Sequence, residues 1–472
     1  MTRKQWAILA ALALAVVCEL CLGGWFVVWD SRQQRTPAVQ VSIASPALPP
    51  ETPAPTATFA LPPTFTPPRP TPTNTRVFTR EEINQPTLAS IANEVVALRK
   101  LPPLTEVDFQ FLTPAELKER FAQYYAAEYT AEDIEKMRQV YVTLGLLDED
   151  FDLATALVDM QAESLAGFYV PDEKKLYIIS EYELVETGQK LAFAHEYTHA
   201  LQDQHFGLAP LIEVEGNSDR ALAARSLAEG DATLLMALYA YENVTQAEWK
   251  WLAYQASRLK KEKVEVAPQV LGQVFLFPYT YGTQFVLGLF LQGGWLAVNQ
   301  AYSYPPQSTE QVMHPDKYTA RDEPQAMELP DLAAILGEGW EQLDRGVMGE
   351  LVTMLYLREQ LDERQAAQAT GGWDGDAYLI LQNSRGQRLL VVRSAWDSIP
   401  EAQEFSTAFS DYATRKYGGA LAGTEKAQRT WWETPTVSVL FSQHDQETLI
   451  VVAPERGSAE KVLAQLSGFC CL

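Results

Sequence analysis

The chain has 472 residues, enough for about three compact domains, or for two domains with additional non-globular sequence. Hydrophobic residues make up 47% and charged residues 21%, which is ordinary globular usage and excludes disorder throughout the chain. The 61 acidic residues outnumber the 37 basic ones and give a formal net charge of −24, which disfavours a partner as polyanionic as nucleic acid.

The N-terminus carries a basic residue pair followed by a long apolar run. Residues 1–5 include Arg3 and Lys4, and residues 6–29 would span about 36 Å as a helix. This length predicts a transmembrane anchor, and the preceding positive charge predicts a cytoplasmic N-terminus with everything after residue 29 outside the cytoplasm. A cleaved signal peptide, or a lipid on one of the two cysteines in the run, is the alternative interpretation.

Residues 30–78 have a different composition. Between residues 36 and 75 lie twelve of the 28 prolines together with nine threonines, and such a segment cannot bury a core. Proline at this density favours extended polyproline II, which rises about 3.1 Å per residue. We therefore predict a disordered stalk between the anchor and the folded part of the chain.

Residues 79–345 show helical periodicity with few strands, and this pattern predicts a helix-rich domain of α+β class. Apolar runs at 167–170 and 176–179 flank the turn 171–174 and predict a β-hairpin. A further strand is predicted at 107–112. Helices are predicted at 81–99, 114–126, 131–146, 152–162, 185–206, 218–241, 246–261 and 281–302.

The pattern of elements in residues 346–472 predicts a second, smaller domain. After a helix at 348–361, strands and helices follow in the order ββαββα, which predicts a small antiparallel sheet covered by two helices. The elements are predicted at 377–382, 388–393, 400–417, 437–442, 448–452 and 459–466. The four cysteines of the chain, Cys18, Cys21, Cys470 and Cys471, lie at its two ends, which excludes a disulfide framework and a cysteine-rich zinc module.

The pattern that carries chemistry is His195-Glu196-Tyr197-Thr198-His199, an H-E-x-x-H motif. Residues 189–206 contain neither proline nor glycine, so the motif can lie on one helix. Residues four apart on a helix differ by about 40° in direction, so His195 and His199 can hold one zinc ion at about 2.0–2.1 Å. Glu196 lies about 100° further round, where a carboxylate can accept a proton from zinc-bound water.

The alternative is a pair of helix-surface histidines without a metal. The neighbours of the motif, Leu191, Phe193, Ala194 and Leu201, are apolar and predict that this helix is buried. A buried histidine without a partner is costly, so the neighbours favour the metal site.

The downstream segment Glu229-Gly230-Asp231-Ala232 resembles the third-ligand helix of the gluzincins, in particular of their aminopeptidase branch. Gluzincins are zinc metallopeptidases in which a downstream helix supplies a glutamate ligand. The resemblance implies a zincin-like fold, Zn²⁺ as the cofactor and Glu229 as the third ligand, with water in the fourth position. The segment between His199 and Glu229 is longer than in the best-known gluzincins, and Asp231 is the alternative ligand.

Other candidates are less closely tied to the motif. Asp203 lies four residues after His199 and could orient its imidazole. His314 and Tyr281, or the neighbouring Tyr279, are candidate donors to the oxyanion that develops during hydrolysis. In zincin folds the strand before the metal helix is commonly an edge that pairs with substrate, and residues 176–180 occupy that position. A hairpin that only packs the core is the equal alternative for these residues.

These patterns together predict a membrane-anchored zinc metallopeptidase with an extracytoplasmic catalytic domain. Its substrates would be peptides or proteins, hydrolysed by zinc-bound water that Glu196 activates. One alternative is a non-catalytic surface binding or scaffold protein on a degenerate zincin fold, and another is a metal-dependent hydrolase of a non-peptide bond. The domain boundaries of this prediction are cytoplasmic residues 1–5, the anchor 6–29, the stalk 30–78, the catalytic domain 79–345 and the C-terminal domain 346–472.

Overall fold

The computed structural model describes most of the chain from Thr79 onward. The described residues are 79–117, 119–120, 123, 130–164, 167–180, 184–214, 216–252, 268–420 and 429–469. The predicted cytoplasmic segment, anchor and stalk, and all four cysteines, lie outside the described residues. Within them the chain combines many helices with two sheets, which confirms the prediction of an α+β fold.

The first half of the described chain is mainly helical. Its helices are α1 (Arg80–Arg99), α2 (Ala131–Thr143), α3 (Leu153–Ser164), α4 (Thr187–Phe206), α5 (Ala209–Ile212), α6 (Ser218–Asn243), α7 (Gln269–Ser303), α8 (Thr309–Met313), α9 (Pro315–Ala320) and α10 (Ala333–Leu336). Residues 114–117 and 246–252 are also helical. The predicted helices that are described agree closely with these bounds, except that α7 begins twelve residues before the predicted 281. Pro278 therefore lies inside α7 rather than before it.

The small sheet of this half has three strands: β1 (Asp108–Leu112), β2 (Gly167–Val170) and β3 (Lys175–Ile179). The hairpin is present, because β2 and β3 pair antiparallel around residues 171–174. The prediction that residues 176–180 form an edge is wrong, since β3 lies in the centre of the sheet and also pairs in parallel with β1. The apolar pattern of β3 reflects this central position. The strand is paired on both sides, and the side chains of residues 176–179, which point to both faces of the sheet, are buried.

The second half contains a six-stranded antiparallel sheet with the order β4-β5-β6-β9-β8-β7. The strands are β4 (Trp340–Gly346), β5 (Trp373–Asn383), β6 (Arg388–Trp396), β7 (Arg429–Glu433), β8 (Ser438–His444) and β9 (Glu447–Ala453). The helices are α11 (Gly349–Arg358), α12 (Glu363–Thr370), α13 (Ile399–Tyr417) and α14 (Arg456–Leu463). The predicted ββαββα elements are β5, β6, α13, β8, β9 and α14, and the sequence analysis missed β4, β7 and α12.

Both faces of the large sheet are buried. Side chains such as Ile380 and Phe441 join one continuous core that extends through α13 into the helical half, as far as Leu88 of α1. The alternate residues, such as Leu381 and Leu440, form a second core with α14 and α10. Burial on both faces explains why the central strands read as nearly unbroken apolar runs.

Helices α6 and α7 approach each other closely at two glycines. A Cβ atom on Gly230 would lie 2.2 Å from the carbonyl oxygen of Gly282, and one on Gly282 would lie 2.3 Å from the carbonyl oxygen of Ser226. Neither distance is possible for a real carbon atom, so the crossing requires glycine at both positions. Gly230 directly follows Glu229, so this contact sets the position of that carboxylate.

Among the described residues, α7 is the helix that is long and apolar enough to cross a membrane, by length and composition alone. Core helices of globular proteins meet the same criterion. This helix contacts α6 at Gly282 and kinks at Gly293 and Gly294, where Gly294 has a φ of 63°.

We expect Gly230→Ala to lower the free energy of unfolding by about 1–3 kcal/mol, because the added methyl group overpacks the helix crossing. Gly288→Ala is the matched control. Gly288 lies on α7, and a Cβ atom there would meet no neighbouring element of the described structure within 4 Å, so alanine should raise stability by up to about 1 kcal/mol. Urea unfolding of the two variants measures the difference. Equal stability of the two variants would contradict the steric explanation.

Candidate metal centre

Helix α4 presents both histidines of the motif on one face. It begins after Glu186, whose backbone N–H donates to Gln189 Oε1 at 3.1 Å, and ends where Gly207 adopts a positive φ of 72°. Between these ends nothing interrupts the helical spacing, so His195 and His199 lie one above the other. Their rings meet edge to face with centroids 4.7 Å apart.

Helix α6 brings Glu229 to the two imidazoles. His195 Nε2 lies 3.2 Å from Glu229 Oε2, His199 Nε2 lies 3.3 Å from the same oxygen, and the two nitrogens are 3.1 Å apart. Among the described residues these three form the one group of His, Cys, Asp and Glu side chains that could hold a metal ion. Tetrahedral zinc with ligands at about 2.0–2.1 Å separates its ligand atoms by about 3.3–3.4 Å, so the three atoms fit zinc.

Hydrogen bonds to Gln202 define which nitrogen of His199 faces this centre. Gln202 Nε2 lies 3.0 Å from Ala228 O and 3.0 Å from Asp231 Oδ2, both of which only accept, so this atom must be the amide nitrogen. Gln202 Oε1 therefore faces His199 Nδ1, at 2.9 Å, and accepts a hydrogen bond from its N–H. Nε2 of His199 is therefore the nitrogen that faces the centre and is available to bind a metal.

The three ligand groups strongly affect one another's protonation. Burial lowers the pKa of His199, but the adjacent Glu229 carboxylate outweighs burial and raises that pKa to about 9. Burial raises the pKa of Glu229, but the two imidazoles outweigh it and hold this pKa well below its usual range. The carboxylate therefore stabilises positive charge between the two rings, and a metal cation supplies such charge.

The ligands are largely covered but not sealed. The side chains of His195 and His199 are each 11% exposed to solvent, and that of Glu229 is 17% exposed. A structural zinc site is enclosed by four protein ligands, whereas a catalytic site has three and an open position. The described residues supply three ligand groups with residual exposure, a number that leaves one position of a tetrahedral ion open.

Glu196 lies beside the ligands and is not one of them. Its Oε2 accepts a hydrogen bond from the backbone N–H of Tyr169 in β2 at 3.0 Å, and its side chain is buried. Burial raises the pKa of Glu196 above its usual value. A carboxylate with a raised pKa is a stronger base, so Glu196 is suited to accept a proton next to the metal centre.

Of the two candidate tyrosines, the structure places Tyr279 near the ligands. Its ring centroid lies 6.3 Å from that of His195. Tyr281 is two residues further along α7 and therefore points about 200° away, where it stacks on Phe277 at 5.1 Å. The helix can present only one of the two tyrosines to the centre, and Tyr279 is the one whose ring lies near a candidate ligand.

His314 lies at a different part of the molecule. Its Nε2 pairs with Glu350 Oε1 of α11 at 3.0 Å. The segment that carries His314 contacts α6 through Thr309, whose hydroxyl donates to Asp219 at 2.6 Å. Asp219 precedes Glu229 by ten residues, about 15 Å along the helix axis. The structure therefore does not bring His314 to the metal ligands.

The two acidic candidates also have other partners. Asp203 accepts hydrogen bonds from the Tyr169 hydroxyl at 3.0 Å and from the Leu208 backbone N–H at 3.1 Å, so it does not orient an imidazole. Asp231 forms a bidentate ion pair with Arg99, at 2.7 and 2.8 Å, and is not a ligand.

The sequence analysis missed two residues that act around the centre. One is Gln202, although its i+3 spacing from His199 is a local signal for its hydrogen bond to that histidine. Nothing local in the sequence indicates Arg99.

Comparison with known proteins gives a match only in the second half of the chain. Residues 338–463 match a family described as Domain of unknown function (DUF8575). No curated protein and no solved structure matches the chain. The matched segment begins just before β4 and ends with α14, so it covers the six-stranded sheet and leaves the candidate metal centre outside.

Proposed function

We propose that the chain is a zinc metallopeptidase of the gluzincin type. The observation that carries this proposal is the convergence of His195 Nε2, His199 Nε2 and Glu229 Oε2 at ligand spacing, with Glu196 beside them. These are the four residues that a gluzincin site requires. A bound zinc ion would act as a Lewis acid, polarising a substrate carbonyl and lowering the pKa of water.

Each residue near the centre then has a definite task. Glu196 accepts a proton from the attacking water and transfers it to the amine that leaves when the peptide bond breaks. The backbone N–H of Tyr169 holds the Glu196 carboxylate in place. The hydroxyl of Tyr279 donates a hydrogen bond to the oxygen that becomes negative during the attack.

Strand β2 is the natural partner for an extended substrate. It pairs with β3 on one side, and among the described residues no strand pairs with its other side. Tyr169 of β2 contacts Glu196, so this strand lies next to the base. A peptide that binds along β2 through main-chain hydrogen bonds would pass the metal centre.

The proposal includes the location of the enzyme. The apolar run 6–29 would anchor the chain in a membrane, the segment 30–78 would act as a spacer, and the metal centre would lie outside the cytoplasm. This part of the proposal is supported by composition alone.

The test is metal content together with peptide cleavage. We expect the purified full-length protein to bind one equivalent of zinc and to cleave members of a mixed peptide library. A chelator should abolish cleavage and added zinc should restore it. Zinc without cleavage would instead favour the scaffold alternative or a hydrolase of another bond. Cleavage that persists after the metal has been removed would overturn the proposal.

A further inference from the structure

On the basis of the zinc site proposed above, we propose that Gln202 is a positioning residue: it holds His199 in the one tautomer and ring orientation that can bind the metal. The argument depends on Gln202 lying between the imidazole and a buried ion pair. Gln202 does not touch the metal ligands' binding atoms, so it acts through His199.

The amide of Gln202 is itself fixed in orientation. Its nitrogen donates to the carbonyl oxygen of Ala228 and to the carboxylate of Asp231, both on α6, and the residue is fully buried. A rotation of the amide by 180° would place its oxygen against two acceptor oxygens, with which it cannot form a hydrogen bond. The oxygen therefore remains directed at His199 Nδ1, from which it can only accept a hydrogen bond.

Asp231 is held by groups from two further helices. Arg99 at the end of α1 binds both of its carboxylate oxygens, and the hydroxyl of Tyr302 in α7 donates to it at 2.8 Å. The Arg99 guanidinium also lies 4.4 Å from the centroid of the Trp295 ring. The side chains of Arg99 and Asp231 are fully buried, so the pair cannot exchange its partners for water. Gln202 thus connects His199 to a rigid anchor formed by α1, α6 and α7.

The other imidazole, that of His195, has no comparable side-chain partner among the described residues. The Nδ1 atom of His195 is buried and, among the described residues, has no hydrogen-bond partner. Its ring is located by packing against His199 and Tyr279. Within the described part of the chain, a side chain selects the tautomer of His199 and none does so for His195. Such outer partners typically change metal affinity by about 10–100-fold.

The test replaces the amide and measures zinc affinity by chelator competition. We expect Gln202→Met, which keeps the length of the side chain and removes its polar atoms, to weaken zinc binding by about 10–100-fold. Gln204→Met is the matched control on the same helix. Gln204 bonds to the exposed backbone of residues 104–105, so its replacement should leave zinc affinity within about twofold. Equal zinc affinity of the two folded variants would overturn the proposal.

A measurement on the unaltered protein covers the case in which Gln202→Met does not fold. In zinc-loaded protein labelled with ¹⁵N-histidine, the ring nitrogens of His199 should report metal on Nε2 and a proton on Nδ1. Binding of zinc through Nδ1 would contradict the proposed role of Gln202, whatever the behaviour of the variants.

These readouts also separate this inference from the proposed function. Zinc binding that depends on Gln202, without peptide cleavage, would support the positioning role and contradict the peptidase. Zinc-dependent cleavage with unchanged zinc affinity in Gln202→Met would support the peptidase and contradict the positioning role.

Discussion

Glu196→Gln is expected to leave zinc binding intact and to lower the rate of peptide hydrolysis by about 10²–10⁴-fold, the range that general-base catalysis contributes. The amide of glutamine has almost the same shape as the carboxylate, and its oxygen can still accept the hydrogen bond from Tyr169 N–H. The fold and the three ligands should therefore be unaffected. An amide cannot accept a proton from water near neutral pH, so the chemical step should lose its base.

The measurement is kcat/KM on a peptide that the wild-type protein cleaves, with zinc content determined on the same samples. Glu242→Gln provides the control, because Glu242 is an exposed residue on α6 and its substitution removes one acidic charge without touching the centre. A Glu196→Gln variant that cleaves at the wild-type rate would show that another group is the base. Loss of zinc in this variant would show that Glu196 helps to hold the metal.

Arg99→Met is expected to lower the free energy of unfolding by about 3–5 kcal/mol. The Asp231 carboxylate would then be left inside the protein without its counter-charge, and burial of an unpaired charge is one of the costliest single changes to a fold. Tyr302 and Gln202 would still donate hydrogen bonds to Asp231, but neither carries a positive charge.

Urea unfolding of the full-length protein measures this loss. In the double variant Arg99→Met with Asp231→Asn, the buried charge is absent, so we expect part of the lost stability to return. Lys136→Met is the control for an exposed ion pair: Lys136 lies 3.2 Å from Asp344 with 49% of its side chain exposed, and such pairs contribute about 0–1 kcal/mol. Similar losses in Arg99→Met and Lys136→Met would contradict the role of the buried pair.

The secondary structure could be predicted best where both faces of an element are buried. Strands β5, β6, β8 and β9 lie in the interior of the large sheet, and their unbroken apolar runs were recognised. Strands β4 and β7 are its two edges and were missed. In β4 the residues Glu341, Gln342, Asp344 and Arg345 stand where an apolar run would be. Strands β4 and β7 are specified by their pairing with a neighbour, and the sequence of either strand alone does not show that pairing.

The residues of the candidate site also differ in whether local sequence or tertiary contacts place them. The sequence by itself places His195, Glu196 and His199 on one helix face, because the 3.6-residue period is a local property of the chain. Glu229 was identified through a resemblance between short motifs. The contacts of Gln202, Tyr279 and Arg99 were decided only by the tertiary structure. These side chains meet their partners across the contacts between α1, α4, α6 and α7, and the packing of separate helices is set by their combined shapes rather than by any local pattern.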